Sequence, residues 1–206
     1  MPDLTEKTLK RNEVYAGRII RVRRDEVLLP GGGHGLREVV EHPGGVGILA
    51  FDDRGRVSSV RQDRYSVGDH LWTIPAGKRE AGEAPFVTSQ RVLAEEAGAT
   101  ASRCTDLGQI IASPGCYGEV LYLYMARGLT FGERHLDEDE FLETAFVPFA
   151  DVLERCLQGE IRDGKTVAAV LKAGLLQEKA CTLWGVPYTH LPPPTNRAVS
   201  VWGASG

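Results

Sequence analysis

Two adjacent carboxylates, Glu95 and Glu96, lie near the end of a segment with helical periodicity. On a helix they lie beside Arg91 and Val92, which come one turn earlier. Adjacent carboxylates repel each other, so they either face solvent or bind a cation. Clustered carboxylate and carbonyl oxygens are the ligands that Mg²⁺ and Mn²⁺ prefer. The sequence therefore offers a candidate metal site on this helix.

A loop containing two glycines precedes this helix and brings backbone groups close to the same carboxylates. It runs Gly77-Lys78-Arg79-Glu80-Ala81-Gly82-Glu83, and seven further residues separate Glu83 from Arg91. The helix itself is predicted over residues 84–97, with Pro85 in its first turn and Gly98 at its end.

The spacing of this segment resembles the Nudix box, the signature of hydrolases that cleave a nucleoside diphosphate linked to another group. The matching residues are Gly77, Glu83, Arg91, Leu93, Glu95, Glu96 and Gly98. The resemblance implies that Glu95 and Glu96 bind metal and that Glu96 takes part in catalysis. It implies a structural role within the box for Gly77, Glu83, Arg91 and Gly98.

One position departs from the box. Val92 stands where the family has a metal-binding Glu, one turn before Glu96 on the same face of the helix. Because a valine side chain cannot bind a cation, three alternatives stay open. One metal position is lost, another carboxylate replaces it, or the protein no longer turns over the usual substrate.

The residues that flank the box resemble the ADP-ribose pyrophosphatase branch of the family. Residues 72–77, Trp-Thr-Ile-Pro-Ala-Gly, are similar to the segment before the box in that branch, where the carbonyl matching Ala76 is a metal ligand. Thr73 departs from the Glu that is usual there. Further on, Cys116-Tyr117-Gly118 departs from the usual aromatic-small-acid run. The substrate-binding residues that the resemblance implies are Arg61, Arg64, Pro114 and Glu119.

The acidic segment 137–140 resembles the loop that supplies the catalytic base in this branch. Glu138 is the first candidate for the base, and Glu140 is the second or an added metal ligand. The activity implied is hydrolysis of ADP-ribose or a related nucleotide sugar to AMP and a sugar phosphate, with Mg²⁺ (or Mn²⁺) as cofactor. A carboxylate of the loop would deprotonate the attacking water.

The order of predicted elements indicates an α+β fold, and the resemblance implies a Nudix-type α/β/α sandwich of mixed sheets with an N-terminal antiparallel strand arm. We expect a strand arm over residues 1–40, a Nudix hydrolase domain over 41–180 and a Pro-rich tail over 181–206. The relatives are homodimers in which the arm reaches the partner, so we expect a homodimer. Residues 47–62 carry the signature of a β-hairpin, with Asp and Gly in the turn.

Composition and net charge limit the partners and the location that we expect for this protein. The 206 residues include 24 Lys and Arg against 28 Asp and Glu, so the net charge of −4 argues against a nucleic-acid partner. An apolar run long enough to cross a membrane is missing from the sequence, and we expect a cytoplasmic protein whose partner is a nucleotide-sugar substrate. Two rivals stay open: a Nudix hydrolase for a different nucleoside-diphosphate substrate, and a nucleotide-binding protein whose catalysis Val92 has weakened.

Overall fold

The structure is a computed structural model that describes residues 2–136 and 141–184, with side chains described up to residue 178. These residues form eleven strands and three helices. The strands are β1 (Lys7–Lys10), β2 (Glu13–Ala16), β3 (Arg21–Leu28), β4 (His34–Glu41), β5 (Gly45–Ala50), β6 (Arg56–Arg64), β7 (Asp69–Thr73), β8 (Ala76–Lys78), β9 (Ala99–Ser113), β10 (Tyr117–Phe131) and β11 (Leu142–Pro148). The helices are α1 (Pro85–Ala97), α2 (Phe149–Leu157) and α3 (Gly164–Trp184).

Strand β5 lies at the centre of the fold, and all six of its residues are buried. Side chains alternate between the two faces of a strand, so each face packs against a different layer. Val46 and Ile48 pack in one core cluster with Leu93 of α1. Leu49 packs in the other cluster with Val170 of α3. Helices therefore cover both faces of this sheet, and the expected α/β/α sandwich is confirmed.

The N-terminal strands form the expected antiparallel arm. Strand β3 pairs antiparallel with β1, β2 and β4, and β4 joins the main sheet through the single pair of Val40 with Tyr117 of β10. All residues of β1 and β2 are exposed. The exposed side chains include the apolar residues Leu9, Val14, Tyr15 and Leu36.

The predicted hairpin over residues 47–62 is wrong. The chain does reverse at Asp52, whose backbone N–H donates to the carbonyl of Arg56 at 2.9 Å. Beyond the single bridge of Phe51 with Val57, however, the two strands diverge into different sheets. Strand β5 pairs with β10 and β8, whereas β6 pairs with β7 and β11. An alternating pattern with a turn shows where the chain reverses but does not show which strand it pairs with.

Helix α1 agrees with its prediction at both ends. Pro85 occupies its first position, where the missing backbone N–H costs nothing. Gly98 ends it in the left-handed conformation at φ 59°, and its N–H donates to the carbonyl of Ala94 at 3.0 Å. Within the described residues, the helices are all too short or too polar to cross a membrane.

Candidate active site

Strand β8 and helix α1 meet at Gly77 and Val92. A Cβ built on Gly77 would lie 2.5 Å from Cγ2 of Val92, closer than two carbon atoms can approach. The Val92 side chain is buried, with 2% of its surface exposed. The position that matches the family's metal-binding Glu is therefore filled by an apolar group packed on the backbone of β8.

Arg91 ties the loop to the helix through two carboxylates. Its Nε and Nη2 donate to the two carboxylate oxygens of Glu83 at 3.1 and 3.0 Å, and its Nη1 donates to Glu95 at 3.0 Å. Nη2 also donates to the carbonyl of Lys78 at 3.1 Å. These hydrogen bonds from Arg91 lower the pKa of Glu83 to about 2, and they raise the pKa of Arg91 further above its ordinary value. The geometry suits the structural role that the sequence suggested for Glu83 and Arg91.

Glu96 is the buried carboxylate of the site, with 4% of its surface exposed. Its Oε2 accepts a hydrogen bond from the backbone N–H of Ala76 at 3.2 Å. The structure thus brings together Glu96 and Ala76, two of the three residues predicted to bind metal. Glu95 precedes Glu96 on the same helix, but its side chain is about one third exposed and pairs with Arg91.

The donor set fits a divalent cation that is also held by substrate and water. Among the described residues, no group of three or more His, Cys, Asp or Glu side chains could hold a metal ion alone. Two neighbouring carboxylates and the carbonyl of Ala76 are nevertheless the hard oxygen donors that suit Mg²⁺. This ion commonly uses one or two carboxylates together with substrate phosphates and retained waters. Glu95, Glu96 and Ala76 are the residues that would hold it.

Two cavities are both lined by residues of strand β8. The first has a volume of about 650 Å³, and the second about 340 Å³. Gly77 and Lys78 line both. The second cavity is also lined by Val92, Glu95 and Glu96, so it opens onto the face of α1 that carries the two carboxylates. A volume of several hundred cubic ångströms is typical of a small-molecule site.

The first cavity holds two of the predicted substrate-binding residues, Arg64 and Glu119. It also holds His42, which the sequence analysis did not single out. Burial lowers the pKa of His42, and the nearby charge of Glu119 opposes that change, with 3.4 Å between His42 Nδ1 and Glu119 Oε1. An isolated histidine at the end of a strand gave no sequence signal, because its partner Glu119 is distant in the chain.

Arg61 and Arg64 do not meet in one cavity. Three residues apart on β6, they point to opposite faces of the strand. Arg64 lines the first cavity, whereas Arg61 lines a separate cavity of about 480 Å³. Nη1 of Arg61 lies 3.5 Å from Oε2 of Glu143 on β11. Pro114 is exposed in the turn between β9 and β10 and does not line the first cavity.

Two of the predicted catalytic residues, Glu138 and Glu140, lie outside the described residues. Thr73, where the branch usually has Glu, is buried within the fold, with 2% of its surface exposed. Its Oγ1 has no hydrogen-bond partner among the residues that the structure describes. Thr73 is therefore an interior residue, and it lines neither of the two cavities.

A second contact holds the segment before β8 in place. The backbone N–H of Ile74 donates to Oγ1 of Thr166 at 3.0 Å, in a buried position. Thr166 Oγ1 in turn donates to the carboxylate of Asp163, which also accepts the Thr166 N–H at 3.1 Å and so caps α3. The first turn of α3 thereby fixes the chain two residues before Ala76.

Comparison with known proteins agrees with this architecture. The NUDIX domain family model matches residues 41–170, and the nucleoside diphosphate sugar hydrolase N-terminal domain matches residues 6–40. The chain therefore belongs to the Nudix family.

Within that family the chain is similar to ADP-ribose pyrophosphatases. It is 38% identical over 185 residues to the one from Bacillus subtilis (strain 168), a match that covers 87% of this chain and 100% of that protein. It is 39% identical over 169 residues to the one from Mycobacterium tuberculosis (strain ATCC 25618 / H37Rv), covering 80% and 81%. The crystal structure of an ADP compounds hydrolase shares the fold, with a TM-score of 0.74, 18% identity and coverage of 88% and 97%.

Proposed function

We propose that this protein hydrolyses the diphosphate of ADP-ribose or a related nucleotide sugar, giving AMP and a sugar phosphate. One observation carries the proposal: the buried carboxylate of Glu96 is hydrogen-bonded to Ala76 N, beside cavities large enough for a nucleotide. The similarity to two ADP-ribose pyrophosphatases supports this choice of substrate.

The proposed reaction is attack of water on one phosphorus of the diphosphate. A bond forms from the water oxygen to that phosphorus, and the bond from the phosphorus to the bridging oxygen breaks. The bridging oxygen leaves with the other phosphate. A carboxylate accepts the proton of the water, and Glu138, followed by Glu140, is the proposed acceptor.

Mg²⁺ (or Mn²⁺) is the proposed cofactor, and Glu95, Glu96 and the carbonyl of Ala76 are its proposed ligands. The bound cation would polarise a phosphoryl oxygen and offset its negative charge. The nearness of the two groups supports the assignment of Glu96, since the backbone N–H of Ala76 donates to the Glu96 carboxylate at 3.2 Å.

The first cavity is the proposed site for the rest of the substrate. Arg64 offers a planar, permanently charged group that suits a phosphate oxygen, and Glu119 can accept hydrogen bonds from sugar hydroxyls. Arg61 and Pro114 stay predictions for substrate binding. Because both lie outside this cavity, they can contribute to substrate binding only if the substrate, or a second copy of the chain, reaches them.

A homodimer is also part of the proposal, with residues 1–40 as the arm that reaches the second copy. The exposed apolar side chains of the arm support it, because burying them against a partner would remove them from water. Sedimentation that shows only the 22.5 kDa monomer would count against it. The family boundaries at residues 40 and 41 support the proposed division into an arm and a domain. The tail over 181–206 and the cytoplasmic location stay predictions.

The direct test is to incubate the purified protein with ADP-ribose and excess Mg²⁺ and to follow AMP by chromatography, with EDTA as control. Metal-dependent release of AMP would support the proposal. Release from another substrate in a panel of nucleotide sugars and dinucleotides would favour a different substrate. Calorimetric binding of ADP-ribose without product would favour the nucleotide-binding protein, which the apolar Val92 in the metal site makes the second candidate.

A further inference from the structure

Lys78 lies on β8 where the two cavities meet and lines both of them. Its backbone is held on two sides: its carbonyl accepts from Nη2 of Arg91 at 3.1 Å, and the residue pairs with Gly45 of β5. Its side chain is exposed. Within the described part of the chain, neither a hydrogen bond nor an ion pair engages its ammonium group.

Other cations around the cavities are already engaged. Arg91 is paired with Glu83 and Glu95. The guanidinium of Arg79 donates to the carbonyl of Glu83 at 2.6 Å. Lys165 lies 2.7 Å from the carboxylate of Asp163.

Two further cations line one cavity each. Arg64 lines only the first cavity, and Arg18, from the arm, lines only the second. Lys78 thus carries an uncompensated positive charge at the junction of the two cavities.

The positive charge of Lys78 lies near the residues of the first cavity. Burial lowers the pKa of His42, and the charge of Lys78 lowers it further. His42 and Glu119 line the same cavity as Lys78. A ligand that extends from the first cavity to the carboxylates in the second would therefore pass this ammonium group.

A positively charged side chain near the second cavity matters more because Val92 supplies no carboxylate that could hold a cation. Val92 lines the second cavity together with Arg91 and the two carboxylates, and it offers no ligand to a cation. A diphosphate bound there carries negative charge that must be offset by cations or by hydrogen-bond donors.

We propose that Lys78, which lies where the two cavities meet, binds the diphosphate of the substrate directly through its ammonium group. This inference rests on the proposed function. The ligand that Lys78 would bind is an inorganic diphosphate or a nucleoside diphosphate. Because the contact comes from a side chain of the protein, it forms without any divalent cation.

The test is calorimetric binding of inorganic pyrophosphate and of ADP-ribose in EDTA, which measures the contact without catalysis. Lys78→Met should weaken both affinities by about tenfold to a hundredfold, the range expected for loss of a hydrogen bond to a charged group. Lys78→Arg keeps the charge and should bind within about threefold of the wild type. Arg54→Met is the charge-matched control, in an exposed turn outside both cavities, and should bind as the wild type does.

The outcomes separate this inference from the proposed function. If the wild type releases AMP with Mg²⁺ but binds neither ligand in EDTA, or if Lys78→Met binds both as tightly as the wild type, the inference is overturned and the proposed function stands. If pyrophosphate binding needs Lys78 but ADP-ribose is neither bound nor cleaved, the diphosphate site stands and the proposed substrate fails. A wild type that binds no diphosphate and cleaves none overturns both.

Discussion

A side chain at position 77 and the side chain of Val92 would compete for the same space, since a Cβ on Gly77 would lie 2.5 Å from Val92 Cγ2. Val92 is buried at this contact. The glycine that begins the box is therefore needed here for close packing of β8 on α1. The backbone that carries Ala76 and Lys78 is positioned by that packing.

Gly77→Ala should destabilise the protein by about 1–3 kcal/mol, the usual cost of forcing a methyl group into a packed site. The free energy of unfolding in urea measures it. The same substitution in a Val92→Ala background should cost much less, because the methyl groups it would meet are gone. Equal costs in both backgrounds would show that Val92 does not restrict position 77.

Val92→Glu places a carboxylate on the same face of α1 as Glu96. In EDTA this variant should melt several degrees below the wild type, because an unpaired carboxylate is buried. Mg²⁺ should raise its melting temperature more than that of the wild type, and both metal affinity and hydrolysis should increase. Thermal melts with and without Mg²⁺ check this. Falling activity, or an equal effect of Mg²⁺ on both proteins, would mean that position 92 does not face the metal.

Glu96→Gln should reduce kcat by more than about a hundredfold, beyond the loss typical of residues that only support a metal ligand. The amide oxygen can still accept from Ala76, so the free energy of unfolding should change by less than about 1 kcal/mol. Glu95→Gln is the matched comparison. It should have the smaller effect on kcat, because Glu95 is more exposed and pairs with Arg91. Steady-state kinetics and Mn²⁺ binding give the two readouts. Unchanged turnover would remove Glu96 from the site.

Features that depend on residues close together in the chain could be predicted from the sequence. Helix α1 begins at a proline and ends at a glycine, and its boundaries followed from those residues. The strand arm expected over residues 1–40 contains β1, β2 and β3. The contact of Arg91 with Glu95 joins two residues four apart on the helix, so it follows from helical spacing.

Contacts between distant segments could not be predicted. Strands β5 and β6 are joined by a turn but belong to different sheets, because their pairing depends on β10 and β11, far along the chain. Both arginines of β6 were predicted to bind substrate, and the fold places them at separate cavities. His42 is brought to Glu119 only by the fold. The buried Glu96 differs from its neighbour Glu95 only in tertiary surroundings.

The acid stability of the box depends on Glu83. Hydrogen bonds from Arg91 lower its pKa in the folded protein to about 2, below its ordinary value of 4.5. Between these values the unfolded chain binds more protons, so folding loses stability as the pH falls. The stabilisation is fully present above about pH 5 and disappears towards pH 2. Glu83→Gln should therefore be less stable than the wild type at pH 7, by a difference that shrinks as the pH falls from 5. Urea unfolding of both proteins across this range tests it, and a constant difference would contradict the pairing.

The hydrogen bond between Ile74 and Thr166 links helix α3 to the segment that carries Ala76, a proposed metal ligand. Thr166→Val keeps the shape of the side chain but leaves the buried N–H of Ile74 without its acceptor. We expect the free energy of unfolding to fall by about 1–3 kcal/mol. Because Ala76 lies two residues further on, the Mg²⁺ concentration for half-maximal hydrolysis should also rise.

Thr166→Ser separates the hydrogen bond from simple packing at this position. It keeps the hydroxyl that accepts from Ile74 and donates to Asp163, and it loses only a methyl group. It should therefore retain the Mg²⁺ dependence of the wild type, although loss of the buried methyl group lowers stability by about 1 kcal/mol. If Thr166→Val and Thr166→Ser shift the Mg²⁺ dependence equally, the hydroxyl does not position Ala76, and α3 acts on the site only through packing.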